Sequence, residues 1–303
     1  MYHLLNYLSL ISRGSSSSGD TPPSTQGDKQ SEEFQKKYDE AKKQLLEWEN
    51  SISHRKHLTE EQVTQLLDAM LNENIDFVGV TGSKMIVFQE KLTEDSEGTQ
   101  ILIDLYSYEA MSKGDGTTTI QDIMDYYHKI PPWQRELVPR LTIGGRDKDE
   151  NGGYFRKSTG EISINQKTLR EKVSEPQWVE HVLYHEYAHA VDFRGVWDMS
   201  FSVSSRSNNF TSIMDNSYGT RYSESYDKYM EDWYQESFAE AVAYTRLANR
   251  YGGDNIKMYR SDDSTITYNE WAEDNKQLAD FTQKFIKCNN KNEVADLFGV
   301  SLS

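Results

Sequence analysis

Residues 178–193 read WVEHVLYHEYAHAVDF and contain two histidines four positions apart, His185 and His189, with Glu186 directly after the first. Apolar residues recur at helical spacing through this segment, which predicts a helix over residues 177–193. On such a helix a spacing of four places both imidazoles on one face, where they can share one Zn²⁺. Glu186 then projects beside them, toward a water on the metal. The segment therefore predicts one zinc ion per chain with a carboxylate base next to it.

A plainer interpretation of the same segment is a half-buried helix whose histidines only form hydrogen bonds. Its apolar residues are sufficient to pack the helix against a core without any histidine. Packing therefore does not explain the two histidines, and this favours the metal site. His181 extends the stripe by one turn toward the N-terminus. We expect it either to support a ligand or to lie on the surface.

A catalytic zinc needs a third protein ligand and one open position. One class of zinc peptidase uses a glycine and a third histidine at the positions that here hold Asp192 and Gly195, so that class is excluded. The remaining option is a carboxylate on a later helix, and residues 226–251 form a predicted helix that carries Glu236 and Glu240 one turn apart. We expect Glu236 to bind the metal and Glu240 to orient a ligand histidine. The alternative is that both carboxylates lie on a solvated acidic face.

A tyrosine is the candidate for stabilising the transition state. Tyr229 lies seven residues before Glu236, two turns back on the same predicted face, where its phenol could reach a developing oxyanion. Tyr222, Tyr226 and Tyr234 compete for this role.

These motifs together resemble a known family. HEYAHAVD at residues 185–192, then Tyr229, then Glu236 followed by SFAEA, is similar to the catalytic domain of the anthrax lethal factor peptidases. The related secreted Pro-Pro endopeptidases share the outline, and the likeness covers roughly residues 77–285. The resemblance implies a zinc endopeptidase with a protein or peptide substrate.

The resemblance also implies a role for each matching residue. It makes His185, His189 and Glu236 the zinc ligands, Glu186 the base and Tyr229 the group that assists the transition state. The receptor-docking and substrate-recognition domains of the toxin have no counterpart in this chain, so no delivery partner is carried over.

A predicted hairpin precedes the histidine helix. Residues 152–155 (GGYF) and 161–165 (EISIN) flank a turn at residues 158–160, and both resemble the hairpin that borders the cleft in that family. We expect the strand Glu161, Ile162, Ser163, Ile164 and Asn165 to be an edge strand along which an extended substrate pairs.

Composition excludes several other functions. The 303 residues include 33 Lys+Arg against 49 Asp+Glu, a net charge of -16 that disfavours nucleic acid and anionic lipid. The single cysteine, Cys288, cannot form an internal disulfide. The apolar residues 4–11 are too few to span a bilayer, so we expect no transmembrane segment. This stretch, followed by a Ser/Gly/Pro-rich tether, fits a protein exported by a bacterium.

The expected architecture is an α+β, zincin-like, two-lobed metallopeptidase with a small mixed sheet. We predict an apolar N-terminus and flexible tether over residues 1–31 and a peptidase domain over 32–303. The N-terminal lobe, 32–193, ends in the histidine helix, and the C-terminal lobe, 194–303, is mainly helical and carries the third ligand.

Three other interpretations explain fewer of these residues. The chain could be a binding module whose zinc is structural or whose catalytic fold is inactive, which a fourth protein ligand would indicate. A glycosidase with paired carboxylates leaves the histidines unexplained. Residues 147–152 (DKDENG) begin like a calcium loop, but Ser158 stands where a bidentate glutamate is required.

Overall fold

The computed structural model describes residues 25–51, 58–71, 75–81, 85–93, 97–105, 108, 118–145, 152–170, 177–194, 207–214, 231–259 and 264–301. The chain divides into two compact units, Met1–Glu40 and Ala41–Ser303. Helix α1 (Thr25–Ser51) starts in the first unit, so helical structure begins before residue 32, where we placed the end of the tether. Every residue discussed from here on belongs to the second unit.

Two early helices of the second unit begin at capped threonines. Helix α2 (Glu60–Met70) starts with a capping box, in which the Thr59 hydroxyl accepts from Gln62 N–H and the Gln62 side chain accepts from Thr59 N–H. Helix α3 (Ile120–His128) begins with the same device at Thr119. A short helix α4 (Pro132–Arg135) follows.

Six strands, all before the histidine helix, form one mixed sheet. They are β1 (Ile75–Thr81), β2 (Met85–Glu90), β3 (Thr99–Asp104), β4 (Arg140–Gly145), β5 (Gly153–Arg156) and β6 (Glu161–Asn165). Their order in space is β1-β2-β3-β4-β6-β5. The pairs β3–β4 and β4–β6 are parallel and the others antiparallel, so the described part of the chain has a mixed α/β fold.

The prediction that Glu161–Asn165 is an edge strand is wrong. Strand β6 lies inside the sheet, paired in parallel with β4 on one side and antiparallel with β5 on the other. The outermost strand at this end of the sheet is β5. Both strands of a hairpin satisfy the same local pattern, and long-range pairing with β4 decides which of them is covered. The continuous burial of residues 162–165 agrees with an interior position.

The histidine helix is α6 (Trp178–Arg194), preceded by the short α5 (Gln166–Arg170). Fourteen of its 17 residues are buried, on every side of the helix. It packs against β5 and β6 and against helix α8 (Glu231–Tyr251). A helix buried all round is a core element, which is why its polar side chains face protein rather than water.

The chain after α6 is mainly helical in the described residues. It comprises α7 (Asn208–Met214), α8, the two short strands β7 (Lys257–Tyr259) and β8 (Thr265–Thr267), and helices α9 (Tyr268–Asp274), α10 (Lys276–Phe285) and α11 (Lys291–Phe298). Asn275 separates α9 from α10. A cluster of aromatic rings holds these helices together: Phe210, Phe238, Phe281, Phe285 and Phe298.

Candidate metal centre

Two helices that cross inside the second unit place the predicted ligands. His185 and His189 lie one turn apart on α6, and their ring planes meet at 82° with centroids 4.7 Å apart. Glu236 lies on α8, near its start at Glu231. The α8 residues that follow Glu236 include Ala239, Ala241 and Ala243, all buried, and small side chains let two helix backbones approach closely. The packing of α6 on α8 therefore brings together residues about 50 positions apart.

The side chains of three candidate ligands converge, and the two histidines approach different oxygens of Glu236. His185 Nε2 is 3.1 Å from His189 Nε2 and 3.2 Å from Glu236 Oε2. His189 Nε2 is 3.4 Å from Glu236 Oε1. Among the described residues, these three form the group of histidine, cysteine and acidic side chains close enough together to hold one metal ion.

The spacing of these atoms fits a small tetrahedral cation. A tetrahedral zinc with ligand bonds of about 2.0–2.1 Å separates any two of its ligand atoms by about 3.3–3.4 Å. The separations of 3.1, 3.2 and 3.4 Å are close to that value. Two imidazole nitrogens and one carboxylate also form a donor set that zinc accepts and that calcium or magnesium does not favour. The residues present therefore fit zinc.

Glu240 is buried against the back of His185. Its Oε2 lies 3.0 Å from His185 Nδ1, and the residue is only 1% exposed, so it does not lie on a solvated acidic face. A carboxylate at Nδ1 holds that nitrogen in its protonated form, so Nε2 is the nitrogen that would bind a metal once its own proton is released. This is the arrangement in which a histidine can bind a metal through Nε2.

The charged groups of the site stabilise one another. Burial by itself lowers the pKa of His185, but its contacts with Glu236 and Glu240 outweigh burial and raise the pKa well above its ordinary value. Burial would raise the pKa of Glu236, yet His189 and His185 hold it well below its ordinary value. Glu236 is thus an anionic carboxylate, as a metal ligand requires.

Glu186 occupies a different environment on the same helix. It is 6% exposed, and its Cγ lies 3.4 Å from where a Cβ on Gly153 would stand. Burial, the largest influence, raises the pKa of Glu186; His185 and His189 lower it and Glu236 raises it further. A carboxylate with a raised pKa is better matched to taking up and releasing a proton near neutral pH.

Strand β5 approaches α6 closely because its first residue is glycine. A Cβ on Gly153 would lie 2.7 Å from Val182 Cγ1 and 2.8 Å from the Ser163 carbonyl oxygen. Any larger residue would push β5 away from the helix, so glycine is required for this approach. The edge strand consequently runs directly beside Glu186.

The register shows which groups β5 turns to its free edge. Asn165 N–H donates to the Gly152 carbonyl at 3.0 Å, and each next residue of β5 faces the preceding residue of β6. Because hydrogen-bonded and non-bonded pairs alternate in antiparallel strands, Tyr154 and Arg156 also bond toward β6. The N–H and C=O groups of Gly153 and Phe155 point away from the sheet. Within the described residues no strand pairs with them.

Several predicted features lie outside the described residues. Tyr229, Tyr222 and Tyr226 are among them, as are residues 147–151 of the calcium-like loop. Of the competing tyrosines, Tyr234 is described; it is half-buried, with its ring 5.1 Å from that of Trp233.

Sequence patterns did not identify two features of the site. One is the role of Gly153 in bringing the edge strand to Glu186, although the paired glycines at 152 and 153 were visible as a signal. The other is Glu180, which is fully buried and accepts from Tyr184 OH, Arg250 and Tyr251 OH. No local pattern predicts this burial, because Arg250 and Tyr251 lie about 70 residues further along the chain.

Comparison with protein-family models, with curated proteins and with solved structures found no significant match to this chain. No helix among the described residues is both long enough and apolar enough to cross a bilayer.

Proposed function

We propose that this chain is a zinc-dependent endopeptidase of the gluzincin type, with a zincin-like fold similar to that of the lethal factor peptidases. The observation that carries the proposal is the convergence of His185, His189 and Glu236, beside the carboxylate of Glu186, which is not one of the three. Three protein ligands with a neighbouring base are typical of catalytic rather than structural zinc sites.

His185 and His189 through Nε2, and Glu236 through its carboxylate, would hold the metal. A bound zinc would supply Lewis-acid polarisation of the scissile carbonyl and activation of a water. Glu186 accepts the proton of the attacking water and passes it to the departing amine. Its burial supports this role because it raises the pKa of the carboxyl. Tyr229 would donate a hydrogen bond to the oxyanion, a role that rests on the sequence alone.

The substrate peptide would lie extended along β5. The outward N–H and C=O groups of Gly153 and Phe155 offer main-chain pairing, as in other cases where a peptide adds a strand to a sheet edge. Gly153 adjoins Glu186, so a peptide paired there passes the catalytic carboxylate. Export from a bacterium remains a prediction from composition, because residues 1–24 lie outside the described residues.

The proposal is tested by measuring zinc content and hydrolysis of a peptide library in the same preparations. Glu186→Gln should retain one zinc per chain and lose about 10²–10⁴-fold in kcat/KM, since it removes the base and no ligand. His189→Ala should lose zinc and activity together. Glu136→Gln, on an exposed side chain, is the matched control and should behave as wild type. Full activity of Glu186→Gln, or a wild-type chain that binds no zinc, would contradict the proposal.

A further inference from the structure

A third histidine lies behind the candidate metal centre. His181 precedes His185 by one turn of α6 and is 5% exposed. Its ring stacks on Trp178 at a centroid distance of 5.5 Å and an interplanar angle of 25°. On the other helix, the ring of Tyr244 lies 4.6 Å from it. Aromatic packing thus holds the imidazole in one orientation, out of reach of bulk solvent.

Within the described residues, the polar contact of His181 is with Glu240. His181 Nε2 lies 3.3 Å from Glu240 Oε2. By hydrogen-bond geometry neither Nε2 nor Nδ1 of this ring has a partner within the described residues, so the approach of Nε2 to Glu240 is a close contact and not an aligned hydrogen bond. A buried N–H without an acceptor costs about 1–3 kcal/mol, so an imidazole in this position needs the carboxylate.

Glu240 in turn needs a second donor. Its Oε2, the same atom that contacts His181, lies 3.0 Å from His185 Nδ1. An ionised carboxylate removed from water is costly unless several donors or charges surround it. Burial would raise the pKa of Glu240, but His181 first and His185 second lower it to about 2. Two histidines therefore share one carboxylate oxygen, and one of them is a candidate metal ligand.

We propose that His181 is a positioning residue for the metal site: the contact of its Nε2 with the shared oxygen of Glu240 keeps that carboxylate against Nδ1 of His185. This inference rests on the proposed function, because its consequence is zinc affinity. With His181 in place, Glu240 stays aligned with Nδ1 of His185, and Nε2 of His185 faces the metal. Without that contact, Glu240 is free to rotate away, and the orientation of the His185 ring is no longer fixed.

The experiment measures zinc affinity of the full chain by competition with a chromophoric chelator. His181→Phe keeps an aromatic ring between Trp178 and Tyr244 but removes the donor, and we expect about a tenfold loss of zinc affinity. His181→Gln places an amide N–H where Nε2 stood, and we expect it to stay within about threefold of wild type. Thermal unfolding of the metal-free forms should be alike, which separates positioning from general destabilisation.

A double variant shows whether His181 acts through Glu240. Glu240→Gln alone should lower zinc affinity, and adding His181→Phe should cause no further loss, because the group through which His181 acts is already changed. If the phenylalanine variant does not fold, His181→Asn replaces it, since its shorter amide does not reach Glu240. The same tenfold loss is then expected.

Two results would overturn the inference: zinc affinity equal to wild type in the donor-free variant, or losses that add fully in the double variant. A wild-type chain that binds no zinc is distinguishable from both. It would overturn the proposed function, and this inference with it.

Discussion

At the scale of single residues, Glu236 and Glu240 lie one turn apart on α8 in different surroundings. The Glu236 side chain is 22% exposed and meets two Nε2 atoms, whereas Glu240 is buried behind His185. One carboxylate is therefore suited to bind a metal and the other to hold a ligand in place. Their residue type and spacing are compatible with either role, and only their neighbours distinguish them.

Gly153 leads to a prediction about packing. Gly153→Ala would place a methyl group 2.7 Å from Val182 Cγ1 and 2.8 Å from the Ser163 carbonyl, and a backbone atom cannot easily move away. We expect a loss of about 1–3 kcal/mol in the free energy of unfolding, measured in urea. A fall in kcat/KM should accompany it, because β5 moves away from Glu186.

The matched control is Gly253→Ala, whose added methyl first meets the exposed side chain of Asn269. It should cost less stability and leave peptide hydrolysis unchanged. Equal effects of the two substitutions on kcat/KM would argue against a tight approach of β5 to the site.

At the scale of elements, hydrogen bonds join α6 to the end of α8 that lies away from the candidate ligand Glu236. Glu180 near the start of α6 accepts from Arg250 at 2.7 Å and from Tyr251 OH at 2.7 Å, both at the end of α8. Tyr184 OH, one turn along α6, donates to it at 2.8 Å. These bonds set how far α6 can slide along α8, and hence the separation of His185 and Glu236.

Removing the charge at Glu180 should loosen this contact. Glu180→Gln replaces one of the two acceptor oxygens by an NH₂ group, which cannot accept from the surrounding donors. We expect the free energy of unfolding in urea to fall by about 1–3 kcal/mol. Glu47→Gln removes a carboxylate from an exposed pair with Lys43 at 3.9 Å and serves as the control. It should change stability by less than about 0.5 kcal/mol. Equal changes would show that the Glu180 bonds add nothing beyond a surface pair.

The free edge of β5 predicts a pattern in the substrate. If a peptide pairs with the outward groups of Gly153 and Phe155, its own N–H groups alternate between bonding to β5 and facing away. N-methylation of successive substrate residues should therefore reduce kcat/KM at every second position, by about tenfold where a hydrogen bond is lost. A scan in which neighbouring positions respond equally would contradict strand pairing.

At the scale of the whole molecule, the candidate site is formed by residues from the helix that follows the sheet and from a later helix. Two of the candidate ligands lie on α6, after the last strand of the six-stranded sheet, and the third lies on α8. A metal that joins them stabilises the folded chain relative to the unfolded one, in which no such site exists.

Zinc should accordingly raise the melting temperature. At a free concentration 100 times its Kd, a ligand that binds only the folded state adds about 2.7 kcal/mol. For a chain of this size we expect a rise of about 4–5 °C by calorimetry. A chelator should reverse the rise, and His189→Ala should show none. A similar rise in that variant would mean that zinc binds elsewhere.

Local patterns in the sequence were sufficient for several features, because short-range physics controls them. The sequence was sufficient for the turn at 158–160, the helix with His185 and His189 one turn apart, and the helix with Glu236 and Glu240, which follow from spacing and residue type. A period of 3.6 residues brings i and i+4 together wherever the helix lies.

Tertiary structure alone decided what depends on residues far apart in the chain. The order of β5 and β6 follows from pairing with β4, and the convergence of Glu236 on the two histidines follows from the packing of α6 on α8. The placement of Glu240 between His181 and His185 has the same origin. Local periodicity states which face of an element is apolar, but the partner that covers that face is selected by the burial of the whole core.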